Sequence, residues 1–247
     1  MKTTFRIIVL VFVAGFYGCQ KSDVLLGVSS SINSDGAFSG TIVNDSNRVD
    51  FIKAYDRILD SYNVFEDSLI LGKSAVSSSG KFSIVLTKPV LSKMGTSPSG
   101  VVVSDTTAMV GSMAGFDAYK GGIKTGFINK RSYKLIDTTK VVISESQLMY
   151  SDRFFTIKGT EIYKYIYNGI TSNDTSNYNI TFKKGWNEIT YVEFYSKTST
   201  TVTIIETNSN TVTSDMQWKY VPYNNASSVR VKTRALHGIA RQGFLFR

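Results

Sequence analysis

Histidine and cysteine are almost missing from this sequence: each occurs once, as His237 and Cys19. That scarcity excludes a disulfide framework within the chain and the His- or Cys-rich ligand sets of zinc sites. A Ser-His-Asp arrangement would rest on one histidine in the stretch "ALHGIARQG", away from the patterned body. No glycine-rich phosphate loop ends in Lys-Ser/Thr, and no Asp-rich calcium loop occurs. No catalytic residue, metal or cofactor is therefore expected. Proline occurs only three times, Glu–Lys patterning is sparse, and Ser, Thr, Asn and Gly supply most of the polar share. That balance favours strands and turns over long helices, so the expected class is all-β.

A strong acidic or basic body is also missing. The net charge is +9, but it is concentrated at the ends. Lys2 and Arg6 precede the first apolar run, and Lys219, Arg230, Lys232, Arg234, Arg241 and Arg247 lie at the far end with no acid among them. What remains between them is within about one charge of neutral, which argues against nucleic acid as a partner.

The longest apolar run, "IIVLVFVAGF", is also short. It holds about half of the roughly 20 residues that a helix needs to cross a bilayer. Preceded by the basic "MKTTFR" and closed by "YGC", it has the three-part order of an export signal, although Ile7 to Val13 taken alone also reads as a buried strand. Gly18-Cys19 at its end resembles the lipobox of bacterial lipoproteins, with Phe16 where leucine is usual and Tyr17 bulkier than the usual small residue. The resemblance implies cleavage after Gly18 and acylation of Cys19, and therefore a membrane partner held through acyl chains. Gln20 in place of an aspartate implies the outer membrane. "QKSD" is faintly similar to the signal that exports lipoproteins of Bacteroidetes-type bacteria to the cell surface. Residues 1–18 then form the signal, and 19–36 a lipidated Ser/Gly-rich tether.

Period-2 patterning begins at Ala37. "FSGTIVN" and "RVDFIKAYD" read as strands, with Val49, Phe51 and Tyr55 on one face. Ile52, Tyr55, Leu59 and Tyr62 also have helical spacing, so a short helix competes there. "SSSG" reads as a turn made by Gly80, and "KFSIVL" as a strand placing Phe82 and Ile84 on one face. "SGTI", "VDFIKAYD" and "AVSSSGKFSIVL" together resemble the carboxypeptidase regulatory-like domain of Bacteroidetes envelope proteins. This implies a non-catalytic transthyretin-like β-sandwich over 37–95. A Gly/Ser/Pro stretch follows, and the strands of 96–221 then read as a second antiparallel β domain, with a basic tail at 222–247. "MYSDRFFTIKGT" followed by "FKKGWNEI" is similar to a pattern in uncharacterised lipoproteins of the same bacteria. There Gly-Trp-Asn sits at a turn before a long strand and a late tryptophan, here Trp218, closes the fold.

Two candidate sites remain. Tyr163, Tyr165 and Tyr167 alternate, with Ile162, Lys164 and Ile166 on the other side. With the isoleucines toward the core, a row of tyrosines faces out, suited to a glycan or protein ligand; the same row also serves to cover a half-buried sheet. Glu188 and Glu193 are the nearest pair of carboxylates for a glycan-hydrolysing alternative, but five residues apart on a strand they point to opposite faces. The expected function is thus a binding or structural envelope lipoprotein. Cys19→Ser is expected to abolish incorporation of labelled fatty acid and to leave the chain unprocessed or released from membranes. Equal labelling of the variant and the wild type would remove the lipid anchor from this reading.

Overall fold

The computed structural model describes residues 32–56, 69–94, 97–113, 115–167 and 169–223. They form an all-β fold, as composition and alternation predict. The strands are β1 (Ala37–Thr41), β2 (Phe51–Asp56), β3 (Leu69–Ala75), β4 (Lys81–Val85), β5 (Ser92–Lys93), β6 (Val101–Val103), β7 (Met109–Ser112) and β8 (Gly115–Lys120). The longer β9 (Ile123–Asp137), β10 (Lys140–Ser151), β11 (Phe155–Tyr167), β12 (Ile170–Phe182) and β13 (Gly185–Lys197) follow, then β14 (Thr201–Ser209) and β15 (Gln217–Pro222).

The turn before β4 forms as its sequence requires. Gly80 has φ 78°, the Lys81 N–H donates to Ser77 Oγ at 3.0 Å, and Phe82 and Ile84 are buried on one face. Residues 51–56 are a strand rather than the start of a helix. Its buried side is Ile52 and Ala54, while Phe51 and Tyr55 face outward. Val49 is buried but precedes the strand, which corrects the expected grouping of Val49 with Phe51 and Tyr55.

β1 and β4 form a two-stranded sheet, and β3-β2-β8-β9 run in order in a larger one. The hydrophobic cluster that unites residues of both contains Phe38, Phe82, Phe116 and Trp218. Trp218 meets Phe116 edge-on at 5.4 Å and Phe82 edge-on at 5.5 Å, and stacks on Phe38 at 5.9 Å. Gly40 makes this approach possible, because a Cβ there would come within 2.6 Å of both Phe82 and Trp218. The expected boundary near residue 95 therefore does not separate two cores. β2 pairs with β8, and β15 pairs with β9 to bring Trp218 into the cluster around Phe38, so residues 37–95 have no core of their own. The tail also begins later than expected. Pro222 is the last residue of β15, and the Tyr223 hydroxyl donates to Asp117 at 3.1 Å; residues 224–247 lie outside the described part.

The long strands carry the sheet onward. β8 and β10 take successive stretches of one edge of β9, and β15 takes the other. β10 pairs with β13 from Lys140 to Ser151, and β13 pairs with β14. β14 runs parallel to β12, and β12 forms a hairpin with β11. Consecutive residues on β10 enter different cores: Leu148 the first, and Met149 a second built with Phe155, Ile157, Ile180 and Phe182. On β13, Trp186 and Ile189 divide in the same way.

The Gly-Trp-Asn turn is as its sequence suggests. Gly185 has φ 95°, and the Asn187 side chain accepts from the Lys183 N–H and donates to the Lys183 and Gly185 carbonyls, each at 2.9 Å. Trp186, 3% exposed, meets Tyr150 edge-on at 5.7 Å. Trp186→Ala and Trp218→Ala are each expected to destabilise the protein by about 3–5 kcal/mol, read as a lower denaturant midpoint. An unchanged midpoint would show that the ring contributes no packing.

Candidate functional site

β6 pairs with β11 only over residues 157–159, so it covers only the lower part of that strand. On the face that below carries Phe155 and Ile157, β11 continues with Glu161, Tyr163 and Tyr165, because every second residue returns to the same side. Strand register extends this face sideways. Glu161 stands beside Ser176, Ser176 beside Glu206, and Glu206 beside Glu193. One step up the strands, Tyr163 stands beside Asp174, Asp174 beside Ile204, and Ile204 beside Tyr195.

A network of hydroxyls and carboxyls holds the lower row. Tyr191 Oη lies 2.6 Å from Glu193 Oε2 and 2.7 Å from Glu206 Oε1, so the two carboxyl groups share one phenolic hydroxyl. Ser176 Oγ donates to the other oxygen of Glu206 at 3.1 Å. Glu193 and Glu206 are 3% and 4% exposed. Glu161 is buried and accepts a short hydrogen bond from the Tyr163 hydroxyl. That bond, then burial and the carboxylate's charge, raise the Tyr163 phenol above its ordinary value. Burial, with the nearby charge of Glu193, raises Tyr195 as well. Ser172 donates to Asp174 at 2.8 Å. Beside this row is an open groove of about 440 Å³, lined by Tyr133, Leu135, Val141 and Tyr195 at the ends of β9, β10 and β13.

Tyr163 and Tyr165 are 46% and 42% exposed. The backbone of Tyr167 continues the strand, but its side chain lies outside the description, as do Cys19 and His237. The isoleucines do not face the core: Ile162 and Ile166 are 72% and 71% exposed, and the tyrosines lie on a half-buried face. The reason is parity, since Phe155 and Ile157 give the odd-numbered face to the second core and the tyrosines share that face.

Glu188 and Glu193 do point to opposite faces. Glu188 is 1% exposed, paired with Lys130 at 2.8 Å and accepting from Ser146 Oγ at 2.5 Å. The acid that meets Glu193 is Glu206, directly across the β13–β14 hairpin. A turn centred between Ser199 and Thr200, with Lys197 opposite Val202, pairs them.

The arrangement offers aromatic edges, carboxyl oxygens and hydroxyls on one rigid sheet face. Tyrosinate absorbance of Tyr163 is expected to appear only above the range of a free phenol, and Glu161→Gln should lower it again. Because the folded phenol holds its proton more tightly, the stability from this bond is present below the unfolded value and lost as pH rises through the folded one. Loss in Tyr163→Phe of a step within the ordinary phenol range would contradict the bond. No protein-family model, curated protein or solved structure matches the chain.

Proposed function

We propose that this protein is an exported envelope lipoprotein, anchored through acyl chains on Cys19, that binds a glycan on the β11–β12–β14–β13 face without chemically altering it. The observation that carries this reading is that half-exposed Tyr163 and Tyr165 stand in one strand face, with Tyr163 beside the partly exposed Asp174. Tyrosine gives a sugar ring apolar contact with a polar tip, and carboxylates accept from its hydroxyls. The resemblance to Bacteroidetes lipoproteins with a carboxypeptidase regulatory-like segment belongs to this proposal. So do the outer-membrane destination and display at the cell surface.

The second reading, a hydrolase using two carboxylates, draws on the meeting of Glu193 and Glu206. Their geometry favours binding over hydrolysis. Glycosidases hold the two carboxyls on either side of the scissile bond, at least about 5 Å apart. Here both grip one hydroxyl side by side, and both are buried.

The test is a glycan array probed with residues 19–247 carrying Cys19→Ser, followed by titration of the best ligand. Tyr163→Phe with Tyr165→Ala and Tyr163→Ala with Tyr165→Ala should both fold, with some loss of stability because buried Glu161 loses its donor, and the Ala pair should weaken binding by at least about tenfold, since stacking on an aromatic contributes on the order of 1 kcal/mol per ring. Binding that survives both substitutions would place the ligand elsewhere. Release of reducing ends, lost in Glu206→Gln, would favour the hydrolase.

A further inference from the structure

β11 is paired with β12 along its whole length, but its other edge is covered only by β6. The Ser104 N–H donates to the Thr156 carbonyl and the Thr160 N–H to the Gly100 carbonyl, each at 3.0 Å. The even-numbered residues of β11 therefore turn their backbone groups toward this edge. Ile162, Lys164 and Ile166 continue that series beyond Gly100, and no described strand pairs with them there. Elsewhere side chains close such edges. On β15, Asn44 accepts from the Tyr220 N–H at 2.8 Å and donates to its carbonyl at 2.9 Å. On β3, the Leu71 carbonyl accepts from the Thr87 N–H at 2.7 Å and from its hydroxyl at 3.0 Å.

The open stretch is also apolar. Ile162 and Ile166 stand exposed on one face, Tyr163 and Tyr165 half-exposed on the other, and Lys164 is its one solvent-facing charge. An edge of this kind accepts another extended strand. The strand that matches its alternation is a second β11. A two-fold axis normal to the sheet pairs two copies antiparallel and keeps each face on its own side, so tyrosines stand beside tyrosines. Centred on Tyr163, the pairing drives the partner's β11–β12 turn against Val102, which already stands beside Lys158. Centred on Lys164, it sets two lysines face to face. Centred on Tyr165, it avoids both: Lys164 faces the partner's Ile166, and Ile166 faces the partner's Lys164. Each of these pairs exchanges both backbone hydrogen bonds. Registers further up shorten the overlap.

We propose that the chain pairs with a second copy of itself along the open edge of β11, antiparallel about a two-fold axis at Tyr165. One strand pair is smaller than a permanent interface, so the association is reversible. Both sheet faces stay open, and the pairing rests neither on glycan binding nor on acylation of Cys19.

The test uses the full chain with Cys19→Ser, which leaves no native thiol. Tyr165→Cys places two thiols across the axis in a non-hydrogen-bonded pair, with Cα atoms about 4.5 Å apart and within reach of a disulfide. Ile162→Cys, on the same edge, places them about 20 Å apart. Mild oxidation should give a covalent dimer from the first variant and at least about tenfold less from the second. Ile166→Lys added to Tyr165→Cys sets like charges opposite each other in both flanking pairs and should abolish the cross-link. Adding Lys164→Glu makes those pairs opposite in charge and should restore it. Melting should be unchanged by either substitution, since both side chains lie in solvent, so loss of folding is separable from loss of pairing. Four results would each overturn the proposal: no dimer from Tyr165→Cys, an equal yield from Ile162→Cys, a yield that Ile166→Lys leaves intact, or no restoration by Lys164→Glu.

Discussion

The pairing of β10 with β13 is the constraint on which the rest of the structure depends. It runs unbroken from Lys140 opposite Ser196 to Ser151 opposite Gly185. In its lower half both faces are buried, so it serves as a wall between two cores. Leu148 and Trp186 fill one side, and Met149 and Ile189 the other. A wall of this kind has no solvent face on which to place its polar residues. Glu188, on the Trp186 side, is accommodated by Lys130 and Ser146, which together meet the cost of taking its charge out of water. Asn187, on the other side, folds back onto its own turn.

The same wall provides the candidate site. Past Ile189, β13 leaves the second core and continues as Tyr191, Glu193 and Tyr195 on the face it gave to that core. The change from apolar to polar occurs along unbroken strands, so the sheet that fixes the core also fixes the spacing of the site. Tyr191, Glu193 and Glu206 are held by strand register and by one another, not by a loop. Such a site is preorganised, and rigid sheet positions suit recognition of a ring of fixed shape.

The two ends of the sheet differ in chemistry. The β2–β3–β8 face joins lysines to ring edges, and the β11–β13 face joins carboxyls to tyrosine hydroxyls.

Much of this was legible in the residues themselves. Alternation marked β4 and its buried Phe82 and Ile84. Gly80 marked a turn that needs positive φ, and a resemblance to other lipoproteins implied a turn at Gly185-Trp186-Asn187 and a closing role for Trp218. β4 and its turn follow from interactions within a few neighbours along the chain. Alternation also divided β11 into tyrosine and isoleucine sides, but it carries no information about which side meets another layer. That was decided by Phe155 and Ile157 entering the second core, which left Ile162 and Ile166 in solvent. Nor could local pattern show that β2 would pair with β8, that β15 would place Trp218 among the N-terminal phenylalanines, or that β14 would lie parallel to β12. Backbone hydrogen bonds form equally well with any strand that presents a free edge. The choice among edges falls to burial of side chains far apart in sequence, and that exists only once the chain has folded.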